Sequence, residues 1–214
     1  KQHFVGQIIE ADNLIADPSQ AQFMDFRVRQ DYGFAFMYVL PYAKNKALFE
    51  YTLFSKQILE EYQYVHEIQR YVEQFHDIKA PFTVLDEEMG VIPMDDRLPQ
   101  LKQGPHCYLF GTAAGMTKAS TGYTFSRIQS ASKALAISIA NHGLQSDNHL
   151  RALKEGISSK RYRLYDIALL DLLANSSAQA LLAFKQLFEK NGIESMLLFL
   201  DEKGGLFHDL KILW

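Results

Sequence analysis

Gly111 to Phe125 reads GTAAGMTKASTGYTF and separates two halves of different character. Before it, apolar residues alternate with a period of two. After it, they recur at three and four. The short run Cys107-Tyr108-Leu109-Phe110 leads in as a buried strand, and a helical pattern leads out from about Thr121 to Asn141. Strand, small-residue turn and helix in that order aim backbone N–H groups at an anion on the helix N-terminus. Gly111, Gly115 and Gly122 permit positive φ or close approach to a ligand, and Ser120 and Thr121 are N-cap residue types. Turns of this kind more often serve as plain connections than as ligand sites, so on these residues alone both readings stay open.

Upstream, His3 to Asp12 (HFVGQIIEAD) reads as a strand, and Asp17-Pro18-Ser19 as a turn. Gln22 to Gln30 alternates, with Phe23, Asp25, Arg27 and Arg29 on one face and Met24, Phe26 and Val28 on the other. Phe34 to Tyr42 (FAFMYVLPY) and Ala47 to Phe54 (ALFEYTLF) follow, joined through Lys44-Asn45-Lys46. Three runs with short loops form an antiparallel meander. At Ser55, a candidate N-cap, the period changes. Ile58, Tyr62, Val65, Ile68, Val72 and Phe75 then mark an amphipathic helix over about 56–76. Pro81 to Pro93 (PFTVLDEEMGVIP) returns to strand character, and Asp95 to Pro105 is a polar loop.

Downstream, the helix from Thr121 to Asn141 is rich in alanine and serine. It is therefore thin, suited to packing closely on a neighbour or a ligand, and His142-Gly143 ends it. Further helices are expected at about 147–155, 161–173, 178–190 and 193–200, before a short apolar segment from Gly205 to Trp214. The fold class is α+β. Residues 1–105 form a mainly β substrate-binding region with one helix, and residues 106–214 a turn followed by a helical region.

With 214 residues, 48% of them hydrophobic and 22% charged, the chain has the material for a substantial core. A net charge of −3 offers no basic surface to nucleic acid. The single Cys107 excludes an internal disulfide framework, fits a reducing compartment, and in an apolar strand reads as a buried small hydrophobe. No run is long enough to span a membrane and no signal peptide is visible. The seven histidines show no metal-binding spacing, so no metal is assigned. The chain starts at Lys1 within its first strand, which suggests a fragment.

Glu50 is the most pointed candidate, because it interrupts the apolar strand ALFEYTLF. Burying a charge there is costly without a partner. Alternation puts Leu48, Glu50 and Thr52 on one face and Phe49, Tyr51 and Leu53 on the other. Either this face meets solvent, with Glu50 paired to Lys44 or Lys46, or the carboxyl lines an apolar pocket with a raised pKa and exchanges protons there. Asp25, beside Arg27, is read first as half of a structural ion pair and second as a catalytic acid. Glu87 and Glu88 are adjacent strand residues, so at most one of them faces any pocket. The aromatics of 34–54 are mostly core, and a minority lining a pocket would stabilise a cation through their π faces.

Together FMYVLPY, ALFEYTLFS, EEMGVIPM and GTAAGMTKASTGYTF, with MDFR before them and SKRYRLYDIALLDLL after, resemble the lycopene cyclase family, its bacterial members in particular. The likeness runs from His3 to about Leu210. It implies a flavoprotein of aromatic-hydroxylase-like architecture that closes the ends of lycopene, a hydrophobic carotenoid, into β-rings. This is a non-redox reaction that needs reduced FAD, with NAD(P)H as reductant. It implies that Glu50 is the family's catalytic acid, followed by Tyr51 where plant members carry a second acid. Asp25 joins Glu50 as the second catalytic candidate. The FAD-contacting segment falls on Gly111, Thr112, Ala113, Gly115, Met116, Thr117, Ser120, Thr121 and Gly122, and Lys118-Ala119 stand where plant members have histidine-proline. Tyr38, Tyr51, Glu88 and Pro93 are expected at the substrate. The family's N-terminal GxGxxG fold is missing from the sequence, so a nucleotide-binding segment is expected upstream or in another chain, and this chain alone is expected to be an incomplete enzyme that binds FAD poorly. The implied location is cytoplasmic, peripheral to the inner face of the plasma membrane. A flavin-dependent hydroxylase or reductase on another hydrophobic molecule, and a non-catalytic isoprenoid-binding domain, are the alternatives.

Overall fold

Alternating apolar residues build a five-stranded sheet in the first half of the computed structural model, which describes every residue except Ile15, Ala80, Pro81, His106, Gln145 and Trp214. The expected strand start at Pro81 and segment end at Trp214 lie outside the described residues. Strands β1 (Gln2–Glu10), β2 (Gln22–Asp25), β3 (Phe34–Ala43), β4 (Lys46–Phe54) and β5 (Thr83–Ile92) pair antiparallel in the order β2-β3-β4-β1-β5. The meander read from the sequence is β2-β3-β4, and β1 and β5 extend it. Helix α1 (Glu61–His76) covers one face. Val5, Ile9, Met37, Phe49, Tyr51 and Leu53 pack there against Tyr64, Ile68, Tyr71 and Val72. Burial of these apolar side chains, each contributing about 1.5–3 kcal/mol, holds helix and sheet together.

Several element boundaries differ from those the sequence suggests. β2 stops at Asp25 because Met24 takes a positive φ of 53° and the chain turns away at Phe26. Helix α1 starts at Glu61, not near Lys56. A capping box of Glu60 and Gln63 satisfies its first N–H groups, while Ser55 bonds His3 instead. Leu109 and Phe110 do not extend a strand. Only β7 (Cys107–Tyr108) forms, paired with β6 (Lys102–Gly104), and Cys107 is exposed rather than buried. A two-residue strand at the surface has no second layer to cover it.

A 3₁₀ turn, Gly111–Ala114, then leads through a loop into α2 (Phe125–His142). Helices α3 (Asn148–Leu153), α4 (Lys160–Asn175), α5 (Ser177–Lys190), α6 (Ile193–Leu200) and α7 (Leu206–Leu213) follow. The final apolar segment is therefore a helix. Thin α2 packs on a neighbour in the chain. A Cβ at Gly156 would lie 3.1 Å from that of Ala131 and 3.0 Å from Met116 Sδ. The chain divides into two compact units, Lys1–Pro93 with Leu173–Leu181, and Met94–Leu172 with Leu182–Trp214. Each is described by itself below. No described helix is long and apolar enough to cross a membrane.

Candidate functional site

Pairing register places Glu50 of β4 opposite Tyr38 of β3 and Gly6 of β1, and Gly6 opposite Glu88 of β5. Directly opposed residues share a face, so Tyr38, Glu50, Gly6 and Glu88 form one row across four strands. The row lies on the face away from α1, whose core is built from residues of the opposite parity. Beside it runs a second row, Phe36, Thr52, Phe4 and Gly90. Gly90 makes room for the Phe4 ring, since a Cβ there would lie 2.4 Å from Phe4 Cζ. On this face Phe36 stacks edge-on to Tyr38, with centroids 5.1 Å apart, and Phe34 lies 5.7 Å from Phe54. Phe26 and Phe23 extend the aromatic patch to the β2 side.

Glu50 is half-buried among these groups. Burial pushes its carboxyl above the usual carboxylate range, the negative charge of Glu88 pushes the same way, and a hydrogen bond donated by Thr52 Oγ1 at 2.8 Å opposes both. Such a carboxyl holds a proton more readily than an exposed glutamate and presents it to an aromatic surface. Glu87 points the other way, where Gln7 Nε2 donates to it. Glu88 is exposed, on the same face as Glu50.

The structure does not bring the other expected site residues of this unit to the Glu50 row. Asp25 pairs with Met37 and so lies on the α1 face. Arg27 Nε donates to both its oxygens at 2.9 Å, and Tyr71 Oη donates to Oδ2 at 2.5 Å. Burial raises the Asp25 pKa, but these bonds outweigh it and hold the carboxyl below the usual range. That is an ion pair formed through the turn after β2, and a carboxylate kept ionised in this way is a poor proton donor. Tyr51 lies fully buried under α1, its ring 6.3 Å from that of Tyr64. Pro93 follows the end of β5 and is exposed.

In the other unit, the glycine turn shows two sides. Thr112, Ala113 and Gly115 are exposed. Thr112 and Ala113 sit at the leading edge of the 3₁₀ turn, where N–H groups have no partner inside the turn. Gly111 and Gly115 take positive φ of 64° and 77°. Hydroxyls run from Thr112 through Thr117 to Thr124, which also donates to the Gly122 carbonyl. An edge of N–H groups and hydroxyls, exposed at Thr112 and Ala113 and flanked by Pro99 at Gly115, could hold an anionic or carbonyl-bearing cofactor. Met116, Ser120 and Gly122 are turned inward and buried. Met116 packs with Ala114, Ala131 and Leu153.

Ser120 and Thr121 do not cap a helix. Lys118 N donates to the Tyr123 carbonyl at 2.8 Å and Gly122 N to the Lys118 carbonyl at 2.9 Å, closing a loop that delays α2 to Phe125. Lys118 Nζ is buried between Asp166 Oδ1 at 2.6 Å and Glu202 Oε1 at 3.0 Å. Ser120 Oγ donates to the same Asp166 oxygen, and Arg127 completes the cluster on Glu202. The Lys118 ammonium is thus spent on anchoring the turn. Asp166, Glu202 and Arg127 were not singled out in the sequence. Of these only Asp166 lies in SKRYRLYDIALLDLL, where Arg161 also pairs with Asp209 and Arg163 donates to the Asp96 carbonyl. Among the described residues, no three histidine, cysteine or acidic side chains form a metal site.

Comparison with known proteins agrees with this architecture. No curated protein matches the chain significantly. Eight chains of solved structures match. Among them is a geranylgeranyl bacteriochlorophyll reductase-like protein from Thermoplasma acidophilum, with 16% identity and a TM-score of 0.60 over 88% of this chain and 46% of that one. The chain thus spans about half the length of that protein and shares its fold. The family model described as lycopene cyclase protein matches residues 1–213. By that match across nearly its whole length, the chain belongs to the lycopene cyclase family.

Proposed function

We propose that this chain is the substrate-binding and cofactor-contacting part of a flavin-dependent lycopene β-cyclase. The observation that carries the reading is Glu50, a half-buried carboxyl on an aromatic sheet face, in a chain of this family. Glu50 holds the proton and delivers it to a terminal double bond of lycopene, forming a tertiary cation. The neighbouring double bond attacks the cation, the ring closes, and loss of a proton sets the ring double bond. Tyr38, opposite Glu50 in the same row, would offer its π face to positive charge, with Phe36 packed edge-on against it. Their apolar bulk keeps water from capturing the cation.

Reduced FAD, regenerated by NAD(P)H, would supply negative charge beside the cation. The exposed edge of Thr112, Ala113 and Gly115, with Thr117 hydrogen-bonded to Thr112, would hold its flavin end, with Gly111 and Gly122 shaping the backbone. The ADP end calls for a nucleotide-binding segment that this sequence does not contain. Lycopene resides in lipid, and exposed Leu197, Leu198, Leu206 and Phe207 on α6 and α7 suit peripheral contact with the cytoplasmic face of the membrane.

The test is Glu50→Gln in the flavin-loaded enzyme supplied with lycopene under reducing conditions. Cyclisation should fall roughly 100-fold or more, the scale of a lost general acid. A variant that folds and closes rings at the normal rate removes Glu50 from the mechanism. The reductase-like protein of the same fold favours a second reading, reduction of another isoprenoid. That reading requires NAD(P)H consumed one for one with product, whereas cyclisation requires no stoichiometric consumption.

A further inference from the structure

Resting on the cyclase reading above, we propose that Glu88 is the second catalytic carboxyl. Glu50 donates the proton that starts ring closure, and Glu88 accepts the proton that ends it. The chemistry asks for two proton transfers at different carbons. A proton enters at the chain end and leaves from a carbon beside the cation created by ring closure. Two carboxyls on one face can divide these transfers, one starting as an acid and the other as a base.

The sheet supplies two carboxyls on one face. Glu50 and Glu88 both lie opposite Gly6, on either side of β1. Their Cα atoms are thus two strand spacings apart, roughly 10 Å. Between them Gly6 has no side chain of its own, and Leu48 and Glu88 close over it. A Cβ there would stand 3.1 Å from Leu48 Cδ1 and 3.3 and 3.4 Å from Glu88 Cγ and Oε1. Glu88 therefore leans over Gly6, towards Glu50. The other acids of β5 are directed elsewhere. Glu87 is on the opposite face with Gln7, and Asp86, one row further on, accepts the Glu87 N–H at 2.9 Å.

The balance closes. The Glu50 O–H bond breaks as a C–H bond forms at the chain end, and the next double bond forms the C–C bond of the ring. A C–H bond beside the new cation then breaks, its electrons become the ring double bond, and Glu88 gains the proton. Each turnover moves one proton from Glu50 to Glu88, and its return across Gly6 resets the pair with no oxidant or reductant consumed. The asymmetry of exposure suits these roles. Half-buried Glu50 resists ionisation before substrate arrives, and Glu88, at the open edge strand, is solvated as a base should be.

The test compares wild type, Glu50→Gln, Glu88→Gln and Glu88→Asp in the flavin-loaded enzyme, with two readouts. The first is lycopene cyclisation across pH. The second is infrared titration of the Glu50 carboxyl, which needs no turnover. Glu88→Gln should slow cyclisation roughly 100-fold, with Glu88→Asp retaining part of the rate. Loss of the Glu88 charge should move the Glu50 midpoint down. Glu88 is exposed, so its variants should keep the wild-type melting temperature. Normal cyclisation by Glu88→Gln, with Glu50→Gln inactive, overturns this proposal and leaves the cyclase reading standing. A wild-type enzyme that leaves lycopene untouched overturns both, even where the infrared titration shows the two carboxyls coupled.

Discussion

His3 has no exposed surface, and both its ring nitrogens are occupied. Nδ1 lies 2.6 Å from Tyr64 Oη, and Nε2 lies 2.9 Å from Ser55 Oγ. Burial pushes its pKa down to about 4. An unfolded histidine titrates near 6.5, so between about pH 6.5 and pH 4 the unfolded chain binds one proton more than the folded one. His3 thus contributes stability in full above pH 6.5, and that contribution is lost as pH falls towards 4, at roughly 1.4 kcal/mol per pH unit. Burial pushes half-buried His76 in the same direction. Asp25, held below the ordinary carboxylate range, loses its contribution only at lower pH. Melting temperature should therefore fall from pH 6.5 to pH 4, and His3→Gln should flatten that slope. An equal slope in the variant would assign the acid sensitivity elsewhere. Nothing in the sequence singled out His3 among seven histidines, because its partners lie 52 and 61 residues away. The face of Glu50, by contrast, was legible, since alternation is a property of the strand backbone itself.

At the scale of elements, the five-stranded sheet and helices α1 to α6 were readable from period, while β6, α7 and the loop ahead of α2 were not. GTAAGMTKASTGYTF offers N-cap residues at Ser120 and Thr121, but another partner takes each hydroxyl. Ser120 bonds Asp166 at 2.5 Å, and Thr121 Oγ1 accepts the Tyr123 N–H at 3.4 Å. Lys118 sits at the centre of this loop through its backbone and through an ammonium with 4% of its side chain exposed. Replacing it by methionine keeps the length of the stem but leaves the buried Asp166 and Glu202 carboxylates without that charge. Breaking a buried pair costs about 3–5 kcal/mol, more than the pair itself contributes over an apolar substitute. Lys118→Met should show that loss in denaturant unfolding. The double variant Lys118→Met/Asp166→Leu should recover a substantial part of it, because no buried charge then remains on α4. If the double variant loses as much as the two single variants added together, the pair is not coupled and the loop is anchored by its backbone. The same logic explains Asp25. Its pairing with Arg27 was expected from their spacing, yet the positive φ of Met24 turned a strand neighbour into a turn partner and moved Asp25 away from Glu50.

On the scale of the whole molecule, the family was legible from several motifs in order, whereas the functional residues had to be sorted by structure. Periodicity cannot tell which of two adjacent acids shares a face with Glu50 until the register of β1 and β5 is known, and register depends on partners far along the chain. The cofactor poses the matching question. The flavin end is proposed to meet Thr112, Ala113 and Gly115, but an ADP moiety calls for a glycine-rich strand-to-helix turn with its own helix N-terminus, and this sequence has no GxGxxG. FAD and FMN share the flavin and differ by the AMP portion. If the only contacts in this chain are to the flavin end, the two should bind it weakly and with affinities within roughly threefold of each other, less than 0.7 kcal/mol. Joined to a nucleotide-binding half, the same turn should prefer FAD by roughly 100-fold or more, since the added contacts fall on the AMP portion alone. Titration of flavin fluorescence against the chain measures both constants directly. Strong preference for FAD by this chain alone would reveal an ADP site within residues 1–214, and the 112–115 edge would then be one part of a complete cofactor cradle.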